Sequence, residues 1–373
     1  MLDVARECIE ASADNSVMIF YGRGEHTSLL GITFKRIGND ASVINHYLWS
    51  RTLDREGLMS RRATAQLVES LRIFKPDIVH IHNLHGHYLH YPTLFGFLEK
   101  LDIPVVMTLH DLWPLTGSCC FPDKCNKWEQ SCRHCPDRSL YPATLLSNSR
   151  INKLLKTDCI NRLPNVTLVT PSKWAARRVA RSSLRLCPTI TIPNGVNDDV
   201  FKTISTNEPG ESDATTILAV ANKWEARKRP DILCDIAHLL NDSERLVIVG
   251  DFGKKPPLLP HTKFLHNIMD YETLVEVYNN ADYTISASIN ETYGMTIAES
   301  MACGTPVIVP EHSAMAEYVT KSDGVIIPSV NPSEYIDAIR QPQATFTPHA
   351  PLSRKEAAGR YMDLFTSLIN EIH

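Results

Sequence analysis

Glu291 and Glu299 stand eight positions apart in the segment Asn290–Pro306, NETYGMTIAESMACGTP. A strand is predicted at 281–287 and a helix within the segment, so this part of the chain is one strand–loop–helix–strand unit. The loop and the start of the helix then lie at the edge of the sheet where doubly wound proteins bind ligands. Backbone N–H groups at Thr292–Met295 suit a diphosphate there, while Glu299 could accept hydrogen bonds from a ribose diol and Glu291 could reach a sugar. The alternative is that neither glutamate binds a ligand, one being a surface residue and the other a helix cap.

Short β-branched runs alternate with helical patterns through almost the whole chain, which predicts parallel strands connected by helices. We therefore predict two doubly wound, Rossmann-like α/β domains facing a cleft, at residues 1–190 and 191–352. Residues 353–373 form one amphipathic helix. Its predicted apolar face consists of Ala357, Tyr361, Leu364, Phe365 and Leu368.

The segment around the two glutamates resembles the Glu–seven–Glu motif of retaining glycosyltransferases with the GT-B fold (glycosyltransferase family 4, group 1 type). Three other segments resemble motifs of that family: TLHDLWPLTG at 108–117, IPNGVN at 192–197 and AVANKWEARK at 219–228. Tyr21-Gly22-Arg23 and a cysteine-rich stretch are similar to a subgroup associated with bacterial exopolysaccharide, including colanic acid.

This resemblance implies transfer of a sugar, with retention of configuration and without a metal or other catalytic cofactor, from a UDP- or GDP-sugar. It implies that the acceptor is a growing polysaccharide or a polyprenyl-linked oligosaccharide bound by the first domain. The second domain would bind the donor, and the last helix would cross back onto the first domain.

The resemblance also implies roles for individual residues. Glu291 and His110 would be catalytic, and Lys228, with Arg227 or Lys223, would stabilise the departing nucleoside diphosphate. The residues expected to bind the donor are Lys223, Arg227, Lys228, Glu299, Tyr293, Gly294, Met295, Thr296, Asn194 and Gly195. The alternatives are that Lys223, Arg227 and Lys228 form a solvated basic loop, that His110 is a structural histidine, and that Asn194-Gly195 is only a tight turn. Whether Glu291 binds sugar hydroxyls or stabilises the cationic centre stays open.

Two other functions compete with this interpretation. A sugar-nucleotide epimerase would use the same fold. The chain also begins inside a predicted helix, LDVARECIEAS, without the opening strand and glycine turn of a doubly wound domain. That feature suggests a truncated chain that binds nucleotide without turnover.

Five cysteines lie close together in the sequence GSCCFPDKCNKWEQSCRHCP. Cys120, Cys125, Cys132 and Cys135 could hold a structural zinc ion, with packed or redox-active thiols as the alternative. A cluster of five histidines (His80, His82, His85, His87 and His90) is predicted to pack or to touch the acceptor, in preference to binding a metal.

The net charge of −4 is too small to indicate a nucleic-acid-binding protein. Residues 1–190 carry 24 Lys/Arg against 17 Asp/Glu, whereas residues 191–373 carry 14 against 25. The basic first half could contact an anionic membrane surface, with plain surface variation as the alternative. The start of the chain does not resemble a secretory signal, so we expect a cytoplasmic protein, either free or peripheral at the cytoplasmic face of the membrane.

Overall fold

A computed structural model of the chain describes residues 1–371 apart from 13, 25–30, 123–124, 205–213, 254–255, 267, 269 and 342–345. The chain folds as two compact units. The first unit contains Met1–Ile192 together with Ala357–His373, and the second contains Pro193–Glu356.

The first unit contains two parallel sheets. Strands β1 (Val17–Tyr21) and β2 (Ile32–Arg36) pair with each other. The other four strands follow the order β3-β4-β5-β6. They are β3 (Val79–Ile81), β4 (Val105–Thr108), β5 (Val166–Thr170) and β6 (Thr189–Thr191). Strands β4 and β5 are buried at every position, as expected for parallel strands covered on both faces.

Helices of the first unit connect these strands. They are α1 (Leu2–Ala11), α2 (Asp40–Leu53), α3 (Arg61–Phe74), α4 (Tyr91–Leu98), α5 (Ser149–Asn161) and α6 (Lys173–Ala180). Helix α3 buries Leu67 and Leu71 at helical spacing and ends at Lys75, before Pro76. The helix predicted at the start of the chain is α1.

The second unit is a single six-stranded parallel sheet with the order β12-β11-β10-β7-β8-β9. Its strands are β7 (Thr215–Lys223), β8 (Glu244–Asp251), β9 (Thr262–Leu265), β10 (Tyr283–Ile285), β11 (Val307–Pro310) and β12 (Gly324–Ile327). Its helices are α7 (Pro230–Leu239), α8 (Tyr271–Asn279), α9 (Met295–Ala302) and α10 (Pro332–Arg340). The order of strands reverses between β7 and β10, so this is the switch point where such sheets bind ligands.

The last helix, α11 (Arg354–Asn370), packs on the first unit from Ala357 onward. Its side chains Tyr361 and Phe365 are buried in a cluster with Val106 and Val169 of the central strands. Tyr361 also shares a hydrogen bond of 2.9 Å with Thr108 Oγ1. None of the helices in the described part of the chain is long and apolar enough to cross a bilayer.

Candidate active site

The second unit concentrates charged side chains at the switch point of its sheet. Arg227 and Lys228 follow β7, and Glu291 follows β10. Because β7 and β10 are parallel neighbours, the loops after them meet at one edge of the sheet. There Arg227 Nη1 lies 3.0 Å from Glu291 Oε1, and Lys228 Nζ contacts the same oxygen.

This cluster of Arg227, Lys228 and Glu291 is partly enclosed, since its side chains are between 12% and 22% exposed. Ser288 fixes its geometry by donating a hydrogen bond to the carbonyl of Arg227 at 3.1 Å, while its hydroxyl lies 3.3 Å from Glu291. Glu225 Oε2 lies 3.2 Å from Nε of Arg227, so the two cations face two carboxylates. An anionic ligand at this edge would compete with those carboxylates for Arg227 and Lys228.

The N-terminus of α9 lies immediately after this cluster. Gly294 caps the helix with φ of +94° and no side-chain cap, so the first N–H groups of the helix have no intrahelical partner. A Cβ at Gly294 would lie 2.4 Å from Cγ of Met315, so this position requires glycine. Tyr318 holds the turn by donating to the Gly294 carbonyl at 2.9 Å and by stacking on Tyr293.

Glu299 lies in the second turn of α9 and is largely buried. Tyr278 donates a hydrogen bond to its Oε2 at 3.2 Å. Burial raises the pKa of Glu299 to about 7, although the Tyr278 hydrogen bond and the charge of Arg354 oppose that shift. A ligand that donates hydrogen bonds to this carboxyl group would stabilise its ionised form and lower its pKa again.

The other predicted donor-binding residues have different surroundings. Lys223 is exposed at the end of β7, where its backbone pairs with Asp251 of β8. A Cβ at Gly195 would lie 2.4 Å from the carbonyl oxygen of Ser353, so close backbone approach within the second unit explains this glycine. The predicted donor contacts of Lys223, Asn194 and Gly195 stay predictions.

His110 lies in the first unit, just after β4. Its Nε2 is 2.7 Å from Nδ1 of His82, and the two rings stack. Burial lowers the pKa of both imidazoles, so one ring nitrogen must donate and the other must accept in this pair. Within the described part of the chain, Nε2 of His82 is buried without a hydrogen-bond partner.

Three of the remaining histidines have structural partners. His80 lies 2.8 Å from Thr108 Oγ1, and His90 caps α4 by accepting from the N–H of Thr93. His87 contacts the buried carboxylate of Glu56, which also accepts the N–H groups of Gly86 and His87. Burial alone would raise the pKa of Glu56, but the hydrogen bond and charge of His87 lower it to about 2.

The four cysteines predicted to bind zinc do not form one set. Cys120 faces His85, whereas the other three interact electrostatically with Cys119. Among the described residues, the ligand atoms that lie within 4.8 Å of one another belong instead to His85, Asp111 and Cys120. Cys132 accepts the Gly117 N–H, and Cys135 donates to the carbonyl of Asp137. A zinc site formed by the four cysteines therefore stays a prediction. The structure does not place their four sulfur atoms around one point.

The residues that position the site were not predicted from the sequence. Tyr278 precedes Glu299 by 21 positions, and Tyr318 follows Gly294 by 24. No local motif signals such distant contacts. Ser288 lies three residues before Glu291 and could have been suspected from its place in the loop after the strand.

The family assignment follows from comparison with known proteins. The family described as Glycosyltransferase Family 4 matches residues 3–200, which is more than half of the chain. The family described as Glycosyl transferases group 1 matches residues 214–342. The chain belongs to glycosyltransferase family 4. The resemblance predicted from the motifs is thereby confirmed.

Two named glycosyltransferases are similar to part of this chain. The putative colanic acid biosynthesis glycosyl transferase WcaC of Escherichia coli K12 is 25% identical over 269 residues, which are 67% of this chain and 63% of that protein. A GDP-mannose-dependent alpha-(1-6)-phosphatidylinositol dimannoside mannosyltransferase of Mycobacterium tuberculosis is 26% identical over 191 residues, 48% of this chain and 49% of that protein. The chain therefore spans less than two thirds of the length of either relative.

Solved structures confirm the predicted GT-B type of α/β fold. A glycosyltransferase from Rickettsia africae matches with a TM-score of 0.64 at 15% identity, covering 99% of this chain and 93% of that one. Anabaena HepE in complex with UDP-glucose matches with a TM-score of 0.57 at 15% identity, covering 96% and 98%. At this level of identity the likeness concerns the fold alone.

Proposed function

We propose that this protein is a retaining, metal-independent glycosyltransferase that moves a sugar from a UDP- or GDP-sugar to a glycan or polyprenyl-linked acceptor. The observation that carries the proposal is the contact of Arg227 and Lys228 with Glu291 at the switch point of the second unit. This cluster adjoins the N-terminus of α9, and both features favour a bound diphosphate.

The chemistry of sugar transfer with retention explains why these residue types are needed. As the bond from the sugar to the nucleoside diphosphate breaks, negative charge develops on the leaving phosphate, and Lys228 and Arg227 stabilise it. Positive charge develops on the sugar at the same time, and the carboxylate of Glu291 lies beside those cations. We propose that Glu291 orients the sugar or stabilises this charge. The role predicted for His110 at the donor sugar stays a prediction.

Glu299 is proposed to accept hydrogen bonds from the ribose diol of the nucleotide. It lies about one turn into α9, and its side chain tilts towards the helix N-terminus. In support of a nucleotide-sugar donor, relatives carry GDP-mannose in their names, and HepE was solved with UDP-glucose.

The activity test uses UDP-glucose and GDP-mannose in turn, with a polyprenyl-diphosphate-linked sugar as acceptor. We expect a new glycosidic bond that keeps the α configuration of the donor, as read from the anomeric proton by NMR. Glu291→Gln should lower the rate by at least about 100-fold, comparable to the loss of one transition-state contact. The exposed Glu272→Gln on α8 serves as the matched control.

Three results would contradict this function. An inverted product would refute retention. An altered donor sugar formed without acceptor would indicate an epimerase instead. A Glu291→Gln variant as active as the Glu272→Gln control would show that the cluster is not the active site.

The proposed acceptor is bound at the cytoplasmic face of a membrane, which the first unit would contact directly. An apolar patch supports this contact: its residues are Ile44, Tyr47, Leu48, Trp49, Leu145, Leu146, Ile151 and Leu154. They are between 43% and 60% exposed. The N–H groups of Leu145 and Leu146 donate to carbonyls at the end of α2, and α5 begins three residues later, so the segments that carry these side chains adjoin one another.

Basic side chains lie near this apolar patch, together with some acidic ones. Arg55, Arg138 and Arg150 are exposed, as are Asp137 and Asp158. Amphipathic surfaces of this kind bind anionic bilayers through apolar insertion and roughly 1 kcal/mol per basic side chain.

Vesicle sedimentation tests the membrane contact. We expect binding to vesicles that contain phosphatidylglycerol, weaker binding to pure phosphatidylcholine, and loss of binding in Leu48→Glu. The control is Leu258→Glu, which changes a 97% exposed leucine in the second unit. Equal binding by the two variants, or no binding by the unchanged protein, would refute this contact.

A further inference from the structure

Three side chains of the first unit converge on one point outside the proposed donor site. His85 follows β3, and Asp111 and Cys120 follow β4. Since β3 and β4 are parallel neighbours, their following loops lie together at one edge of the sheet. His85 Nε2 is 2.6 Å from Asp111 Oδ2 and 3.8 Å from Cys120 Sγ, and all three ligand atoms lie within 4.8 Å of one another.

The arrangement differs from a nucleophile–histidine–carboxylate relay. In a relay the two ring nitrogens of histidine face different partners, one the nucleophile and the other the carboxylate. Here Nε2 of His85 faces both the carboxylate and the thiol. Three donor atoms that face one point form the geometry of a ligand set.

We propose that His85, Asp111 and Cys120 bind a zinc ion, with water as the fourth ligand. Bond lengths of about 2.0–2.3 Å place neighbouring ligands of a tetrahedral zinc site roughly 3.3–3.7 Å apart. The contact of His85 with Asp111 therefore needs to open by about an ångström, and the contact with Cys120 is already near this range. A mixed nitrogen, oxygen and sulfur set favours zinc over magnesium or calcium, which prefer oxygen alone.

The surroundings of the ligands suit a neutral metal complex. Asp111 and Cys120 are 8% and 2% exposed, and the ring of His85 lies against Trp113 and Tyr141. A zinc ion with one carboxylate and one thiolate carries no net charge, so it avoids the cost of a buried charge. The N–H of Trp113 donates to Asp111 Oδ1 at 2.8 Å, which leaves Oδ2 for the metal and fixes its direction.

Zinc at this point would join the loop after β3 to the loop after β4. Those loops also carry His82 and His110, which contact each other. The metal is therefore assigned a structural role that holds the two loops in register, and no step of sugar transfer is assigned to it. Its presence or absence is independent of the proposed donor site in the second unit.

Cobalt substitution tests the site without any activity assay. The full chain, stripped of metal, is titrated with Co²⁺ while the tetrahedral ligand-field bands and the thiolate-to-cobalt band are followed, and the zinc content of untreated protein is measured by mass spectrometry. We expect one metal per chain and one coordinated thiolate. Cys120→Ser and His85→Gln should weaken binding by more than about 100-fold, beyond the loss caused by removing an outer partner.

The double variant Cys132→Ser/Cys135→Ser is the matched control, because it removes two thiols of the same segment that are not in the proposed set. Circular dichroism checks that each variant is folded. Metal binding unchanged in this control but lost in Cys120→Ser supports the site. The proposal is overturned if the unchanged protein binds no metal, if the control loses it as well, or if the spectrum shows four thiolates.

Discussion

Glu299 offers a quantitative test, because its burial has a measurable consequence for stability. Its pKa is raised from 4.5 to about 7. The folded chain therefore holds this proton up to about pH 7, whereas the unfolded chain releases it near pH 4.5. Between those values the folded state binds more protons, so the free energy of unfolding falls as pH rises and then levels off above pH 7.

The size of this effect follows from the shift. Each pKa unit corresponds to 1.36 kcal/mol, so the raised pKa removes about 3 kcal/mol of stability between pH 4.5 and pH 8. Glu299→Gln keeps an oxygen that can accept from Tyr278 but has no proton to lose. The free energy of unfolding of the variant, measured relative to that of the unchanged protein, should therefore rise by about 3 kcal/mol from pH 4.5 to pH 8.

Urea unfolding at pH 4.5, 6 and 8, followed by circular dichroism, measures this difference. Glu276→Gln, an exposed change on α8, controls for the general effect of removing a charge. A constant difference between Glu299→Gln and the unchanged protein across the three pH values would refute the argument.

Two further changes test the packing. Gly294→Ala forces a Cβ against Met315 at a φ of +94° and should cost about 1–3 kcal/mol in urea unfolding. If Gly294→Ala is as stable as the unchanged protein, the turn is not constrained as described. Tyr361→Phe removes the hydroxyl bonded to Thr108 and should cost about 1 kcal/mol, whereas the exposed Tyr271→Phe should cost nothing measurable. Equal losses in the two tyrosine variants would contradict a role for that bond.

The strands whose apolar runs are continuous could be predicted from the sequence. The apolar runs at 17–21 and 166–170 predict strands from the sequence alone, and β1 and β5 have those bounds. Strands β2 and β9 were not predicted, because each mixes apolar with charged or polar residues and buries few of its side chains. Such strands form because they pair with a neighbouring strand, and a local sequence pattern does not show that pairing.

The same distinction applies to the candidate site. The motif segments after β7 and β10 predicted Lys228 and Glu291 at the same edge of the sheet, because parallel neighbours bring their following loops together, but their direct contact was not predicted. The five histidines were predicted together to pack or to touch the acceptor. The contact of His85 with Asp111 and Cys120 was not predicted, because the spacing of the cysteines carries no information about a histidine on another loop.

The cluster of Arg227, Lys228 and Glu291 is proposed to bind the diphosphate of a nucleotide-sugar. Calorimetric titration with UDP and with GDP tests it most directly, using the unchanged protein, Lys228→Met and the exposed control Lys321→Met. We expect one nucleotide to bind the unchanged protein and the control equally, and Lys228→Met to bind it at least about 10-fold more weakly, as for the loss of a charged hydrogen bond. Failure of both nucleotides to bind, or equal binding by Lys228→Met, would contradict the claim.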